Sequence, residues 1–157
     1  MFSSIDTWGE RAEYLRTGLD LDLWEENQDR YLRGVKSHTT HMCTFNILSV
    51  TTFKDYLAKI LEWREIYDDV IQDNLGSSPS VRKIKFDTPY LKEPLQYDMH
   101  LLPKDEFLPY FDECLQFISD NIEEYNTKKF SQLEFERFRR VRDYFASTQY
   151  DEAKIAD

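Results

Sequence analysis

Glycine, cysteine and proline are all scarce in this chain of 157 residues, at four, two and five. So few glycines leave no glycine-rich phosphate loop of the dinucleotide or P-loop kind, because such loops need several positions where backbone approaches phosphate. The two cysteines, Cys43 and Cys114, lie far apart, and neither sits in a CxxC or CxxxCxxC arrangement. They read as reduced, packed thiols of a cytoplasmic protein. The three histidines, His38, His41 and His100, have no metal-ligand spacing on a helix and read as hydrogen-bonded or solvent-facing. No apolar run approaches bilayer-spanning length, and the first residues do not read as a signal peptide. Positive charge is in deficit: 20 Lys and Arg against 30 Asp and Glu give a net charge of -10. That disfavours broad nucleic-acid binding, which needs cations against phosphate.

What is present is a globular composition, 41% hydrophobic and 32% charged, with 15% aromatic residues for core and pocket contacts. One domain over 1–147 is expected, followed by a polar, frayed tail over 148–157.

The chain opens on a short strand that ends at Asp6, since aspartate disfavours the pleat and hydrogen-bonds turn backbone. Phe2 and Ile5 with the small Ser3 and Ser4 suit a buried strand whose tip leaves room for a ligand. Gly9 permits the bend into a helix ending at Arg16, and Thr17-Gly18 breaks that helix. Asp20 is the expected N-cap of a second helix through Leu32, closed by Gly34. Residues 39–50 are almost continuously apolar, the pattern of a strand buried on both faces, with Asn46 interrupting it. Thr52 and Asp55 resemble a capping box, and Phe53, Tyr56, Leu57, Ile60, Leu61, Arg64 and Tyr67 follow helical spacing to about residue 71. Residues 74–80 form a loop. A third strand over 81–86 is broken by Asp87-Thr88-Pro89. An irregular stretch follows to Pro103, then a helix carrying Phe107, Phe111, Cys114, Ile118, Ile122 and Tyr125 on one side. A last helix over 132–145 opens with a Ser131/Glu134 capping box.

Repeated βα units predict an α/β fold with parallel strands and right-handed crossovers. Three strands cannot close a barrel, so they form a small open sheet or a segment of a larger barrel. Either way, ligands belong at the carboxyl ends of the strands. Those ends carry Ser4 and Asp6, then Asn46 and Ser49, then Asp87, Pro89 and Tyr90.

These strand ends carry a resemblance. SSIDTWGERAEYLRTGLD resembles the fourth strand and following helix of a radical S-adenosylmethionine (SAM) enzyme core. CTFNILSVTTF resembles the fifth strand, and IKFDTPYLKEPLQYDMHLLPKDEF the sixth. The closest flavour is the group whose core is followed by a twitch-type auxiliary-cluster domain, and the resemblance runs over 1–145. It implies the C-terminal half of a partial (β/α)6 barrel plus an extra C-terminal helix. It implies that Ser4 and Arg16 hold the methionine carboxylate of SAM, and that Asp6 supports the same turn or touches the ribose. Asn46 would bond the ribose or the amino-acid end, and Pro89, Tyr90 and Leu91 would flank the adenine.

The departure from the family is large. It binds a 4Fe–4S cluster through a CxxxCxxC loop after its first strand, and this chain holds no such loop. The expectation is therefore a split or truncated enzyme. Its cluster-bearing N-terminal half or partner chain would lie elsewhere, and this chain would not be catalytic alone. The whole enzyme would reductively cleave SAM to a 5′-deoxyadenosyl radical that abstracts hydrogen from a substrate.

Plainer readings stand beside these. Arg16 could be a surface ion pair with Glu10 or Glu13, Asp6 a turn residue, and Tyr90 a packing residue. The arginines from Arg137 to Arg142 read first as a charged helix face. The whole chain has an alternative as a non-catalytic, acidic protein-interaction module. An uncovered sheet edge predicts dimerisation or aggregation of the isolated chain.

Overall fold

Three short strands, β1 (Phe2–Ser4), β2 (Thr39–Met42) and β3 (Ile84–Asp87), pair in parallel in the order β1-β2-β3. They belong to a computed structural model that describes residues 1–34, 38–67 and 82–147. The loop expected over 74–80, the carboxylates Asp68, Asp69 and Asp73, and the polar tail lie outside the described residues. Among the described residues five α-helices complete the α/β fold: α1 (Glu10–Leu15), α2 (Leu21–Gly34), α3 (Phe53–Tyr67), α4 (Lys104–Asp120) and α5 (Gln132–Ser147).

The helices pack on one face of the sheet. Strand alternation puts Ser3, His41, Ile84 and Phe86 on that face and Phe2, Ser4, Thr40, Met42, Lys85 and Asp87 on the other. His41, Ile84 and Phe86 are fully buried. On the opposite face Ser4 is exposed, Met42 and Lys85 are half-buried, and Phe2 is 78% exposed. The buried strand start expected from Phe2 is thus corrected: Phe2 points away from the helices. The two-sided burial expected for 39–50 is corrected too. β2 ends at Met42, and Phe45 after it packs among the helices rather than within the sheet.

His41 is the hub of the helix-facing side. Its Nδ1 lies 2.6 Å from the Tyr56 hydroxyl on α3 and its Nε2 lies 2.6 Å from Oε1 of Gln28 on α2. Gln28 Oε1 can only accept, so Nε2 carries the proton and Nδ1 accepts from Tyr56. Trp24, Trp63 and Tyr56 surround the ring, with Trp24 and Trp63 centroids at 5.3 and 5.5 Å. The role of Gln28 was not legible in sequence, because a glutamine at a helical core position looks like a solvated residue. A second aromatic nucleus joins the loop after β2 to α3, α4 and α5. Phe53 stacks on Phe138 at 5.1 Å, and Phe45 touches Phe53, Phe111 and Phe138.

One buried cation ties the fold together. Arg64 on α3 donates to Ile84 O at the start of β3 and to Lys129 O before α5, and pairs with Glu134 of α5. Lys83, also fully buried, donates to Leu32 O near the end of α2, where the helix dipole favours a cation.

Local signals held unevenly. Asp20 caps α2 by accepting from Leu23 N. The Ser131/Glu134 box forms in both directions: Glu134 N donates to Ser131 Oγ, and Ser131 N donates to Glu134 Oε2. Thr52 does not cap α3 with its side chain; its hydroxyl pairs with that of Thr7 at 2.7 Å. Gly34 is the last residue of α2 and does not take the left-handed backbone expected of it. α4 stops at Asp120, so Tyr125 leaves the apolar face and is 91% exposed. We expect Ser131→Ala to cost about 1 kcal/mol, the usual value of an N-cap, read as a lowered urea midpoint. An unchanged midpoint would show that the box contributes nothing.

Candidate functional site

The carboxyl ends of the strands open onto two clefts. The first, of ≈310 Å³, is lined by Asp6, Leu15, Arg16, Thr44, Asn46, Leu91, Pro94 and Tyr97.

Its floor comes from β1. Ile5 N still donates to Met42 O, so the chain remains in register with β2 up to Asp6. Gly9, at φ +79°, then turns the chain into α1. α1 is short and delivers Arg16 at its end in extended backbone. Gly18, at φ +86°, and the Leu19 N to Arg16 O bond reverse the chain immediately afterwards.

Arg16 swings back to the strand tip. Its Nη2 donates to Asp6 Oδ1 at 3.0 Å, and its Nε lies 3.0 Å from Asp6 Oδ2 without hydrogen-bond alignment. Asp6 is 6% exposed and also accepts Thr44 N through Oδ1 at 2.9 Å. Its carboxylate therefore holds the end of α1 and the loop after β2 at once. The surface pairing of Arg16 with Glu10 or Glu13 does not occur, and Glu13 instead accepts Leu21 N. Nη1 of Arg16 has no hydrogen-bond partner among the described residues. One edge of the guanidinium remains for a ligand oxyanion.

The β2–β3 ladder runs past the strands. Cys43 N donates to Asp87 O, Phe45 N to Pro89 O, and Leu91 N to Phe45 O. Pro89 fits because it contributes only its carbonyl, and a missing N–H costs nothing there. This extension sets Asn46 beside Leu91. Asn46 is buried, with Oδ1 accepting Leu48 N and Nδ2 donating to Thr44 O. Its second Nδ2 hydrogen is left for the cleft.

Of the residues singled out from sequence, Asp6, Arg16, Asn46 and Leu91 meet in this cleft. Pro89 and Tyr90 line the second cleft instead, with Tyr90 stacked on Tyr144 at 4.0 Å. Ser4 is exposed on the uncovered sheet face and lines neither cleft. The structure does not bring Ser4 and Arg16 together in one cleft. β1 ends at Ser4, and it is Asp6, in the turn beyond the strand, that meets Arg16. Pro94 and Tyr97 were missed. They come from the irregular stretch before α4, where Ile47 N donates to Tyr97 O, and no periodic pattern announces such a contact.

Neither thiol is poised for metal. Cys43 and Cys114 are buried and unpaired with each other, and burial pushes both thiols up, Cys114 to about 12. Among the described residues no three His, Cys, Asp or Glu side chains stand together as a metal site. Among them also, no helix is long and apolar enough to cross a membrane. No protein-family model matches the chain, and no curated protein and no solved structure matches it.

Proposed function

We propose that this chain is the C-terminal part of a radical SAM-type enzyme, contributing the fourth to sixth βα units of a partial (β/α)6 barrel and contacts to SAM. The observation that carries the reading is the convergence of Asp6, Arg16, Asn46 and Leu91 from all three strand tips on one cleft. One-sided coverage of the sheet supports it further. Parallel sheets are normally covered on both faces, and the inner face of a barrel segment is the exception when the rest of the barrel is absent.

The residues present fit the cofactor. The spare edge of Arg16 suits a carboxylate, the remaining amide hydrogen of Asn46 suits a ribose or amino-acid oxygen, and Leu15, Leu91 and Tyr97 suit an adenine face. Asp6 is a positioning residue: it aims Arg16 and fixes Thr44. The 4Fe–4S cluster does not fit the residues of this chain, since both thiols are buried apart. In this reading it belongs to a cluster-bearing segment or partner chain. SAM, bound and reduced there, would supply the hydrogen-abstracting group; this chain would bind and orient it.

The uncovered face with Phe2 exposed also favours the second reading, an acidic interaction module without a cofactor. Titration calorimetry of the full chain separates the two, with S-adenosylhomocysteine and with methylthioadenosine, which lacks the amino-acid end. We expect both to bind. Arg16→Gln should weaken S-adenosylhomocysteine at least 10-fold, roughly 1.4 kcal/mol, and leave methylthioadenosine unchanged. Failure of the unaltered chain to bind either compound, or equal weakening of both by Arg16→Gln, would end the enzyme reading.

A further inference from the structure

The second cleft, of ≈340 Å³, lies between the end of β3 and α5 and shares no lining residue with the first. Asp87, Thr88, Tyr90, Arg137 and Arg140 contribute its polar lining. Three features set it apart from an ordinary charged helix face.

The first is unspent positive charge. Arg139 pairs with Glu136 and Arg142 with Asp112, as surface arginines usually do. Arg140, between them in sequence, has no carboxylate partner among the described residues. Among the described residues Arg137 has only Asp87, at 3.9 Å, with both side chains more than a third exposed. In a chain of net charge -10, a free guanidinium facing a cleft is the exception. The second is Thr88. It is 7% exposed, its backbone N–H is spent on Asp87 Oδ1, and its hydroxyl has no protein partner among the described residues. Thr88 lines the cleft, so this hydroxyl is placed to donate to a group bound there. The third is the aromatic pair that Tyr90 belongs to. Tyr90 and Tyr144 stack at 4.0 Å, and the Lys92 ammonium lies 5.5 and 5.3 Å from their ring centres. Of these three residues only Tyr90 lines the cleft, and Lys92 places a further cation against its ring.

We propose that this cleft binds the phosphoryl group of a small phosphorylated molecule, with Arg137 and Arg140 as its charge partners and the Thr88 hydroxyl as a further donor. Two guanidinium groups against the single carboxylate of Asp87 leave a net positive site. The planar forks of arginine match tetrahedral oxyanions in pairs of hydrogen bonds. A polyanion such as nucleic acid is disfavoured by the net charge of -10 of the chain as a whole. The inference goes beyond the SAM reading and does not depend on it.

The test is amide chemical-shift titration of the full chain with inorganic phosphate at constant ionic strength, with succinate as the carboxylate arm and sodium chloride as control. Saturable shifts are expected at Thr88, Tyr90 and Val141. Arg137→Gln and Arg140→Gln should each weaken phosphate at least 10-fold, while Arg139→Gln leaves it unchanged. Arg140 is exposed and Arg137 half-buried on α5, and a retained circular dichroism spectrum will show the fold intact in both variants. Non-saturating shifts, equal weakening by Arg139→Gln, or tighter binding of succinate than of phosphate would overturn the assignment.

Discussion

Replacing Glu134 with alanine will lower the unfolding free energy by about 3–5 kcal/mol, the usual cost of stripping one partner from a buried ion pair. Arg64 is 1% exposed and Glu134 6%. The guanidinium is held on three sides. Nε and Nη2 reach Ile84 O at 2.9 and 2.7 Å, Nη1 reaches Lys129 O at 2.9 Å, and Nη2 reaches Glu134 Oε1 at 2.5 Å. The carbonyls satisfy hydrogen bonds but bring no full negative charge. Only Glu134 does, and Arg82 Nε lies a further 3.7 Å from it. Without the carboxylate, the buried positive charge remains with nothing to neutralise it. Alanine also opens the Ser131 capping box, which glutamine partly preserves, so Glu134→Gln should cost less than Glu134→Ala. The double variant Arg64→Met, Glu134→Leu should recover part of the loss, because it removes the stranded charge as well. Urea unfolding of the three variants decides it. A double variant no better than Glu134→Ala would mean that Arg64 matters for its carbonyl bonds rather than for its charge.

Acid will destabilise the protein through His41 well before global protonation of its carboxylates. Burial, with a smaller contribution from the Arg64 charge, holds the imidazole down to about 3 from the ordinary 6.5. The folded pKa is depressed, so the unfolded chain takes up the proton first. The contribution to stability is complete above pH 6.5 and is lost as pH falls from there toward 3. The slope is about 1.4 kcal/mol per pH unit, so roughly 2–3 kcal/mol should be gone by pH 4.5. Geometry agrees with the sign. Both ring nitrogens are committed within hydrogen bonds to Tyr56 and Gln28, and a second ring proton would point at the Tyr56 hydroxyl. His41→Gln removes the titration, and the unfolding free energies of the two proteins between pH 7.5 and 4.5 should diverge by that amount. Parallel profiles would show that His41 does not set the acid limit.

These two groups also mark where reading the chain reached its limit. Arg64 was legible as a helix position but not as a buried charge. Its partner lies 70 residues away, and no local spacing joins them. Gln28 was hidden in the same way, because only the approach of β2 gives it the imidazole to bond. The candidate site divided along similar lines. Asp6, Arg16 and Asn46 stood out because a carboxylate closing a strand, an arginine closing a short helix and an amide in an apolar run each conflict with their surroundings. Which of them share a cleft depended on the pleat. Ser4 lies within β1 on the open face while Asp6 lies past the strand end in the turn that meets Arg16, and one residue of alternation separates Tyr90 from Leu91 across two clefts.

The amino-acid order by itself determined the α/β class, the βα alternation and the caps at Asp20 and Ser131. Those follow from hydrophobic period and from side chains that bond their own backbone within a few residues. Tertiary structure alone decided that the helices cover one face of the sheet and that Asp6, not a glutamate on α1, neutralises Arg16. It also decided that Arg140, with no carboxylate partner among the described residues, lines the same cleft as Thr88. Such contacts join residues from different elements. Their energies depend on burial and on distances of a few ångströms that no run of neighbouring residues encodes.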